Sequence, residues 1–274
     1  MVGSSMHVAR PLAIVLGLNE VASAIAVGLH HAGYAVLMAH DPAFPVIRRG
    51  MSFFDALFDG GGSLGGVAGV SVDNVLAARF QVRTLDQIAV TRLELSELLI
   101  IGDIDVLIDA RMHCDAVTPQ LRKLARFTIG VGKGFVSGED CDAVVGARVT
   151  VEVAQRERRH AEQMLLMRSS EAGRWHTPLD VGARIYKGFA LGYLGSNVVK
   201  APVDGVLRGI ARDDTRVPVG AELIEITTGQ GTRRWWGLDA RGVRISEEVL
   251  GALSVLGALR PAPTSSKLRL VHSR

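Results

Sequence analysis

The first part of the chain alternates continuous apolar runs with a helical period. Leu12–Leu16 is apolar at every position, which is typical of a parallel strand buried on both faces. Apolar residues then recur at helical spacing until Gly33, and residues 34–38 form a second apolar run. This pattern predicts a strand, a helix that Gly33 ends, and a second strand in parallel with the first. The helical positions are Val21, Ala24, Ile25, Gly28 and Leu29.

Two more strands are predicted further along, and a polar or glycine-rich loop follows each. Their apolar centres are residues 106–108 and 127–132. In an open α/β sheet, ligands bind outside the carboxyl ends of the strands. We therefore expect the segments that follow the four strands to converge on one crevice. These segments are Gly17, Asp41, residues 109–112 and residues 130–138.

The pattern changes in the second half of the chain. Residues 152–172 are rich in helix formers and contain no glycine or proline, which predicts a connecting helix. Beyond residue 180, short apolar runs punctuated by glycine predict strands. The clearest runs are residues 198–210, 216–226 and 233–245.

These elements predict an α/β fold with a Rossmann-like parallel sheet and a second, smaller β-rich domain that resembles a barrel-sandwich. The predicted parts are a Rossmann-like domain at 1–150, a helical connector at 151–178, a β-rich barrel-sandwich-like domain at 179–262, and a tail at 263–274.

Residues 198–226 resemble half of a biotinyl/lipoyl-type barrel-sandwich. An Ala-Pro-x-x-Gly turn and a Val-x-x-Gly segment, each followed by a strand pattern, carry this resemblance. A carrier domain of that kind needs an exposed lysine at a hairpin apex, but the turns LGYLGS and TTGQGTRRWWG contain none. We therefore expect a structural β domain and not a swinging-arm carrier.

Composition excludes several classes of function. The chain has 274 residues and is 48% hydrophobic, which is ample for a core. Its apolar runs fall short of the ~20 residues of a membrane-spanning helix, and its N-terminus does not read as a secretion signal, so we expect a cytoplasmic protein without membrane association. The net charge is only +3, and basic residues are not interleaved with aromatic ones, which argues against nucleic acid. Two cysteines are too few for a structural zinc site, and we predict no metal site.

The first strand-to-helix turn stands where a dinucleotide fingerprint belongs. It reads Gly17-Leu-Asn-Glu, with one glycine where the fingerprint has three. Asn19 occupies the position at which a second glycine lets a pyrophosphate approach the backbone. Either this turn binds a dinucleotide, or the fold has kept its shape without that cofactor.

Two further groups are candidates for binding an anion. Arg48 and Arg49 lie in the loop that leaves the second strand, where guanidinium groups could hold a phosphate or carboxylate; exposed, solvated charge is the alternative. The loop that follows the fourth strand contains Gly130, Gly132 and Gly134, whose bare backbone lets amides approach an anionic ligand, and Lys133 could neutralise it.

The order of these landmarks resembles that of the YqeB-type accessory proteins associated with selenium-dependent molybdenum hydroxylases. The resemblance rests on the first strand-turn-helix, residues 32–60 with Pro-x-x-Ile-Arg-Arg and Ser-Phe-x-x-Ala, DVLIDARM, IGVGKGFVSGEDCDAVV and KAPVDGVLRGI. Members of this family typically carry Gly-x-Gly-Asp in the first turn and Gly-Pro-Gly-Phe in the later loop. This chain has Gly17-Leu-Asn-Glu and Gly132-Lys133-Gly134-Phe135 instead, so the resemblance is to a divergent member.

The resemblance implies a cytoplasmic accessory or maturation protein for a molybdenum-type or related cofactor enzyme. Its ligand would be an anionic small molecule, either a molybdopterin-type cofactor or a nucleotide, and its protein partner would be the cofactor-dependent enzyme. A non-catalytic assembly subunit of an enzyme complex and an NAD(P)-dependent oxidoreductase are the alternatives. The sequence assigns no catalytic residue and leaves a homo-oligomer open.

Overall fold

The computed structural model describes residues 10–84, 86–112, 118–146, 164–228 and 234–258. Eight of its strands form one large sheet: β1 (Leu12–Leu16), β2 (Ala35–Ala39), β3 (Gly62–Leu64), β4 (Val67–Ser71), β5 (Ile88–Thr91), β6 (Val106–Asp109), β7 (Phe127–Val131) and β8 (Ala143–Val145). Their order is β3-β4-β5-β2-β1-β6-β7-β8. All neighbours are parallel except the β3–β4 hairpin. The predicted parallel strands are therefore confirmed.

Helices cover both faces of this sheet. Successive residues of a strand point to opposite sides, and the strands are apolar on both sides, so each face forms a core with helices. In β1, Ala13 and Val15 face one core, which also contains α1 and α5 residues, while Ile14 faces a second core under α3 and α4. The helices are α1 (Glu20–His31), α2 (Ala56–Asp59), α3 (Val75–Thr84), α4 (Leu95–Leu98) and α5 (Ala240–Val255), and Arg49–Met51 forms a 3₁₀ turn.

The remaining strands form two antiparallel sheets of four strands each, which we call the β unit. One sheet has the order β13-β12-β10-β15 and the other β11-β14-β16-β9. Both contribute to one apolar core around the fully buried Trp175. The strands are β9 (Met164–Arg168), β10 (Gly173–His176), β11 (Arg184–Ile185), β12 (Ala190–Leu194), β13 (Asn197–Lys200), β14 (Gly205–Ile210), β15 (Thr215–Val217) and β16 (Glu222–Thr227).

Two sequence predictions are wrong in this half. The connecting helix was predicted at 152–172, of which residues 152–163 lie outside the described ranges. Met164–Arg168, within the predicted helix, is strand β9, paired with β16. Pairing with β16 overrides the helix propensity of this stretch. Residues 240–245, predicted as part of a strand, begin helix α5, which packs against α1 and not in the β unit.

The glycine-rich stretch near residue 65 is a turn. Gly65 and Gly66 join β3 to β4 with φ of 59° and 81°, and two successive positive φ values are what a tight hairpin loop requires. Within the described ranges, every helix falls short of the length and apolarity that a membrane span requires.

Candidate functional site

The candidate site lies where the carboxyl ends of the parallel strands meet, which we call the carboxyl edge of the large sheet. The strand order reverses there, because strands are added first on one side of β1 and then on the other. From β1 the chain passes to β2 and β5 on one side, and β6, β7 and β8 follow on the other side. In sheets of this kind a crevice forms outside the carboxyl ends of the strands at such a point. Contacts between the segments that follow β1, β6 and β7 define this edge.

Gly17, after β1, lies against the segment that follows β6. Its φ is 111°, and a Cβ placed there would stand 3.0 Å from the carbonyl oxygen of Ala110. The Gly17 amide donates to the Ala39 carbonyl at 2.9 Å, which ties the turn to the end of β2 as well. Only glycine fits this conformation and this close approach.

Asn19 closes the amino end of α1. Its Oδ1 accepts hydrogen bonds from the amides of Val21 and Ala22 at 3.0 and 2.8 Å, and its Nδ2 donates to the Ala110 carbonyl at 2.7 Å. In a dinucleotide fold, amides of this first turn face the pyrophosphate. Here the Asn19 side chain accepts hydrogen bonds from two of these amides, as an N-cap residue does.

An ion cluster lies at the ends of β2 and β6. Arg111 donates to both carboxylate oxygens of Asp109, with Nη2 to Oδ2 at 2.6 Å, and its Nη1 lies 3.7 Å from Oδ2 of Asp41. Asp109 is buried, whereas Arg111 is partly exposed. The hydrogen bonds to Asp109 raise the pKa of Arg111. Asp41 also accepts from the Ala43 amide at 2.8 Å, a side-chain-to-backbone bond that is typical of a residue at the start of a turn.

The Asp109–Arg111 pair was missed as a binding feature by sequence reasoning, although residues 109–112 were placed at this edge. The signal was present: an acid closes an apolar strand, and a guanidinium follows two positions later. Met112 comes next, with a φ of 63°. A left-handed backbone is costly for a residue that is not glycine, and such strain concentrates at functional sites.

The loop after β7 completes the edge. Met112 lies against Gly132, because a Cβ built on Gly132 would stand 3.3 Å from the Met112 sulfur. Gly132 and Gly134 have φ of 94° and 102°. The Thr118 hydroxyl donates to the Gly134 carbonyl at 3.0 Å. Lys133, between the two glycines, is exposed.

Gly130 has a packing role. It is the fourth residue of β7, and a Cβ built on it would overlap the ring of Phe135, which folds back over the strand. Bare backbone at this position therefore makes room for the chain's own aromatic side chain. Of the predicted glycines, Gly132 and Gly134 flank the lysine most directly.

Arg48 and Arg49 are held by carboxylates between the large sheet and the β unit. Arg48 donates to Glu20 at 2.5 Å and to Glu225 at 2.7 and 3.0 Å. Burial alone would lower the pKa of Arg48, but the carboxylates of Glu20 and Glu225 raise it above its ordinary value. Arg49 is only 5% exposed, and it pairs with Asp55 at 2.8 Å and with Asp180. The structure thus joins both guanidiniums to the chain's own acids.

His40 is a further polar group at this edge. It follows β2, and its ring contacts that of Phe54 in a tilted arrangement, with 5.2 Å between centroids and 59° between ring planes. Its Nδ1 is buried without a hydrogen-bond partner. Burial lowers the pKa of His40 to about 4, although the neighbouring Asp41 raises it and Arg92 lowers it further. His40 is therefore neutral near pH 7.

Comparison of sequences finds a distant relative. The chain is 24% identical over 266 residues to the uncharacterized protein YqeB of Escherichia coli K12, covering 89% of this chain and 48% of that protein. The chain thus spans about half the length of the curated relative that it matches. No protein-family model matches the chain.

Comparison of structures finds only neighbours with low TM-scores among those described below. A succinylglutamate desuccinylase/aspartoacylase from Rhodobacter sphaeroides is 12% identical, with 81% of this chain and 87% of that chain covered and a TM-score of 0.26. An aspartoacylase family protein from Mesorhizobium loti has the same identity and coverage and a TM-score of 0.24. A succinylglutamate desuccinylase/aspartoacylase family protein from Shewanella amazonensis SB2B is 15% identical over 45% of this chain and 54% of that chain, with a TM-score of 0.22. TM-scores this low carry no inference about fold or activity.

Proposed function

We propose that this chain binds an anionic small molecule at the carboxyl edge of its large sheet, as an accessory protein in the maturation of a cofactor-dependent enzyme. The ligand class is a nucleotide or a phosphorylated pterin of the molybdopterin kind, and the enzyme class is the selenium-dependent molybdenum hydroxylases or a related group. The distant similarity to YqeB and the resemblance that the sequence landmarks carry support this assignment. A Rossmann-like interpretation of the sheet is supported by its strand order on the two sides of β1.

One observation carries the proposal. The turn after β1, the Asp109–Arg111 pair after β6 and the Gly132–Gly134 loop after β7 meet through the contacts Gly17–Ala110 and Met112–Gly132. At this edge, Lys133 is exposed, and no carboxylate of the described residues lies within ion-pairing distance of it. An anion at the loop would contact Lys133 and backbone amides together.

The placement differs from the one that sequence alone favoured. Arg48 and Arg49 are committed to carboxylates, so the proposal depends on Lys133 and the glycine loop. Arg111 is a second cation at the edge, but Asp109 and Asp41 neutralise it. Asp41 and Asp109 would repel a simple anion but can accept hydrogen bonds. A ligand that carries hydrogen-bond donors beside its phosphate therefore fits this edge better.

The test is calorimetric titration of the full chain with GMP, GTP and inorganic phosphate. Lys133→Ala should weaken a bound ligand by about 1.5–3 kcal/mol, because a direct charge-assisted hydrogen bond is lost. Lys187→Ala is the matched control, since Lys187 is an exposed lysine of the β unit, and it should leave the affinity unchanged. Equal affinities of wild type and Lys133→Ala, or no binding of any of the three probes, would contradict the proposal.

A non-catalytic assembly subunit is the second candidate. Asn19 satisfies amides that a ligand would otherwise use, and Arg48 and Arg49 are paired internally. Both facts favour a molecule whose polar groups stabilise its own fold. Native mass spectrometry of freshly purified protein separates the two roles, because a ligand adds a small fixed mass and an assembly role adds a polypeptide.

A further inference from the structure

Helix α3 carries two large apolar side chains on its solvent face. Its inner face packs on the large sheet, where Ala78 is fully buried. On the outer face, Leu76 is 77% exposed and Phe80 is 61% exposed. These two residues are four positions apart, so they lie on the same side of the helix, one turn apart. They therefore form one apolar patch and not two isolated side chains.

Exposed charges of opposite sign flank this patch. Asp73 lies just before Asn74, whose side chain accepts from the Ala77 amide at 2.9 Å at the amino end of the helix. Arg83 lies in the last turn. Both Asp73 and Arg83 are exposed, and within the described residues neither takes part in an ion pair. The outer face thus runs from an acid through an apolar patch to a cation.

The order of these groups is symmetrical about residue 78. Leu76 and Phe80 are two positions to either side of it, and Asp73 and Arg83 are five positions to either side. With a rise of about 1.5 Å per residue, the apolar pair lies about 3 Å and the charged pair roughly 8 Å from this centre along the helix axis. Turning the helix end over end about residue 78 therefore exchanges the two apolar positions, and it exchanges the acid with the cation.

We propose that α3 packs against α3 of a second copy of this chain, antiparallel, about a two-fold axis that passes between the helices at the level of residue 78. Leu76 of each copy then packs on Phe80 of the other. Asp73 of each copy pairs with Arg83 of the other. The same patch serves on both subunits, as a two-fold interface requires. The proposal is independent of the ligand site.

The charges identify the occupant as a second copy and fix its register. A partner surface of one sign would meet a like charge at one end of α3, which costs affinity. The inverted helix meets an opposite charge at both ends. A shift along the axis would separate the acid from the cation and the apolar side chains from each other, so the register centred on residue 78 is favoured on both counts.

Arg79 is the other exposed cation of α3. At about 100° per residue it lies roughly 80° round the helix from the midpoint of Leu76 and Phe80. Its long side chain can therefore keep the guanidinium in water at the rim of the contact. The contact is only about three helical turns long, shorter than a standard interface, so we expect a weak dimer.

The test uses sedimentation velocity of the full chain over about 5–500 μM protein. The weight-average sedimentation coefficient of the wild type should rise with concentration towards that of a dimer. Asp73→Arg and Arg83→Asp should each raise the dissociation constant at least about tenfold, because each turns two opposite-charge contacts of the dimer into two like-charge contacts. Leu76→Ser should also weaken the dimer, since it removes apolar surface from both halves of the contact.

Mixing the two charge variants tests the register. In an equimolar mixture of Asp73→Arg and Arg83→Asp, opposite charges meet again at both ends, so association should return to the wild-type level. A variant that had merely disturbed the fold would not be rescued in this way. Arg184→Asp, the same substitution at an exposed arginine of the β unit, should leave association unchanged.

Three outcomes would overturn the proposal. The first is a wild-type sedimentation coefficient that does not change with concentration. The second is association of Asp73→Arg or Arg83→Asp as strong as that of the wild type. The third is a mixture of these two variants that associates no better than either variant alone.

Discussion

Arg48 and Glu225, which are 177 positions apart, form an ion pair of two hydrogen bonds at 2.7 and 3.0 Å. Glu225 is 2% exposed and also accepts from Arg208, which in turn reaches Asp239 at the amino end of α5. The remaining nitrogen of Arg48 donates to Glu20 in the first turn of α1. One buried network thus connects the β unit to two helices of the large sheet.

The first prediction concerns this pair. Arg48→Met should lower the free energy of unfolding by about 2–4 kcal/mol, because Glu225 would stay buried with one of its two cationic partners removed. Urea denaturation at pH 7 measures the change. Arg168→Met is the control: Arg168 pairs with Glu222 at 2.9 Å, but both side chains are exposed, so the loss should stay below about 1 kcal/mol. Equal effects of the two substitutions would refute a buried structural role for Arg48.

The second prediction concerns the pH dependence of stability. Burial lowers the pKa of His40 from 6.5 to about 4 in the folded protein, so below pH 6.5 the unfolded chain binds a proton that the folded chain does not. Stability from this group is therefore complete above pH 6.5, falls as the pH decreases to about 4, and falls no further below that. The loss over this window is about 3 kcal/mol.

Denaturation of wild type and His40→Gln at pH 7 and pH 4 measures this effect. The variant lacks the titrating ring, so its stability should fall by about 3 kcal/mol less than that of the wild type between the two pH values. For each protein, the quantity compared is the change in unfolding free energy between pH 7 and pH 4. Any effect of the substitution on packing that does not depend on pH therefore cancels. Parallel pH profiles for the two proteins would show that His40 does not resist protonation in the folded state.

The third prediction concerns the cap of α1. Asn19→Ala removes two bonds to first-turn amides and the bond to the Ala110 carbonyl, and should cost about 2 kcal/mol. Asn74→Ala is the matched control, since Asn74 accepts one bond, from Ala77 at 2.9 Å in an exposed position, and should cost about 1 kcal/mol or less. Thermal or urea unfolding measures both. A cost for Asn19→Ala no greater than that for Asn74→Ala would mean that the bond to Ala110 contributes nothing.

The sequence predicted those parts of the fold that local pattern determines. The run Leu12–Leu16 is a strand with the predicted bounds, and Gly33, which was predicted to end α1, has a φ of 90° just beyond it. Met164–Arg168 was mispredicted because its residues favour helix, while its partner in the sheet lies some sixty positions later. Pairing over such a separation leaves no local signal.

The candidate site was predicted only in part, because some of its contacts also join residues that are far apart in the sequence. That Gly17 and Gly132 both border the segment after β6 followed from the rule for parallel sheets. That Arg48 would be neutralised did not follow, because its partners are distant in sequence: Glu20 lies in α1 and Glu225 lies in the β unit. Helix α5 had a usable signal that was missed. Asp239 caps it, and Ile245, Val249 and Leu253 recur at intervals of four.

The fourth prediction concerns the contact between α1 and α5. Small residues let the two helices approach closely: a Cβ on Gly242 would stand 2.9 Å from the Ala24 side chain and 3.0 Å from the Glu20 carbonyl, and one on Gly28 would overlap Ser246. Gly242→Ala should destabilise the protein by about 1–3 kcal/mol, because the helices must separate to admit the methyl group. Gly251→Ala, in the same helix but with no atom within 4 Å of the new Cβ, should instead stabilise by about 0.5–1 kcal/mol through helix propensity.

The opposite signs make this pair of substitutions a sharp test, since both replace glycine by alanine within α5. Chemical denaturation of the two variants should give unfolding free energies on either side of the wild-type value. If Gly242→Ala were also stabilising, helix propensity alone would govern this position and α5 would not be packed tightly on α1.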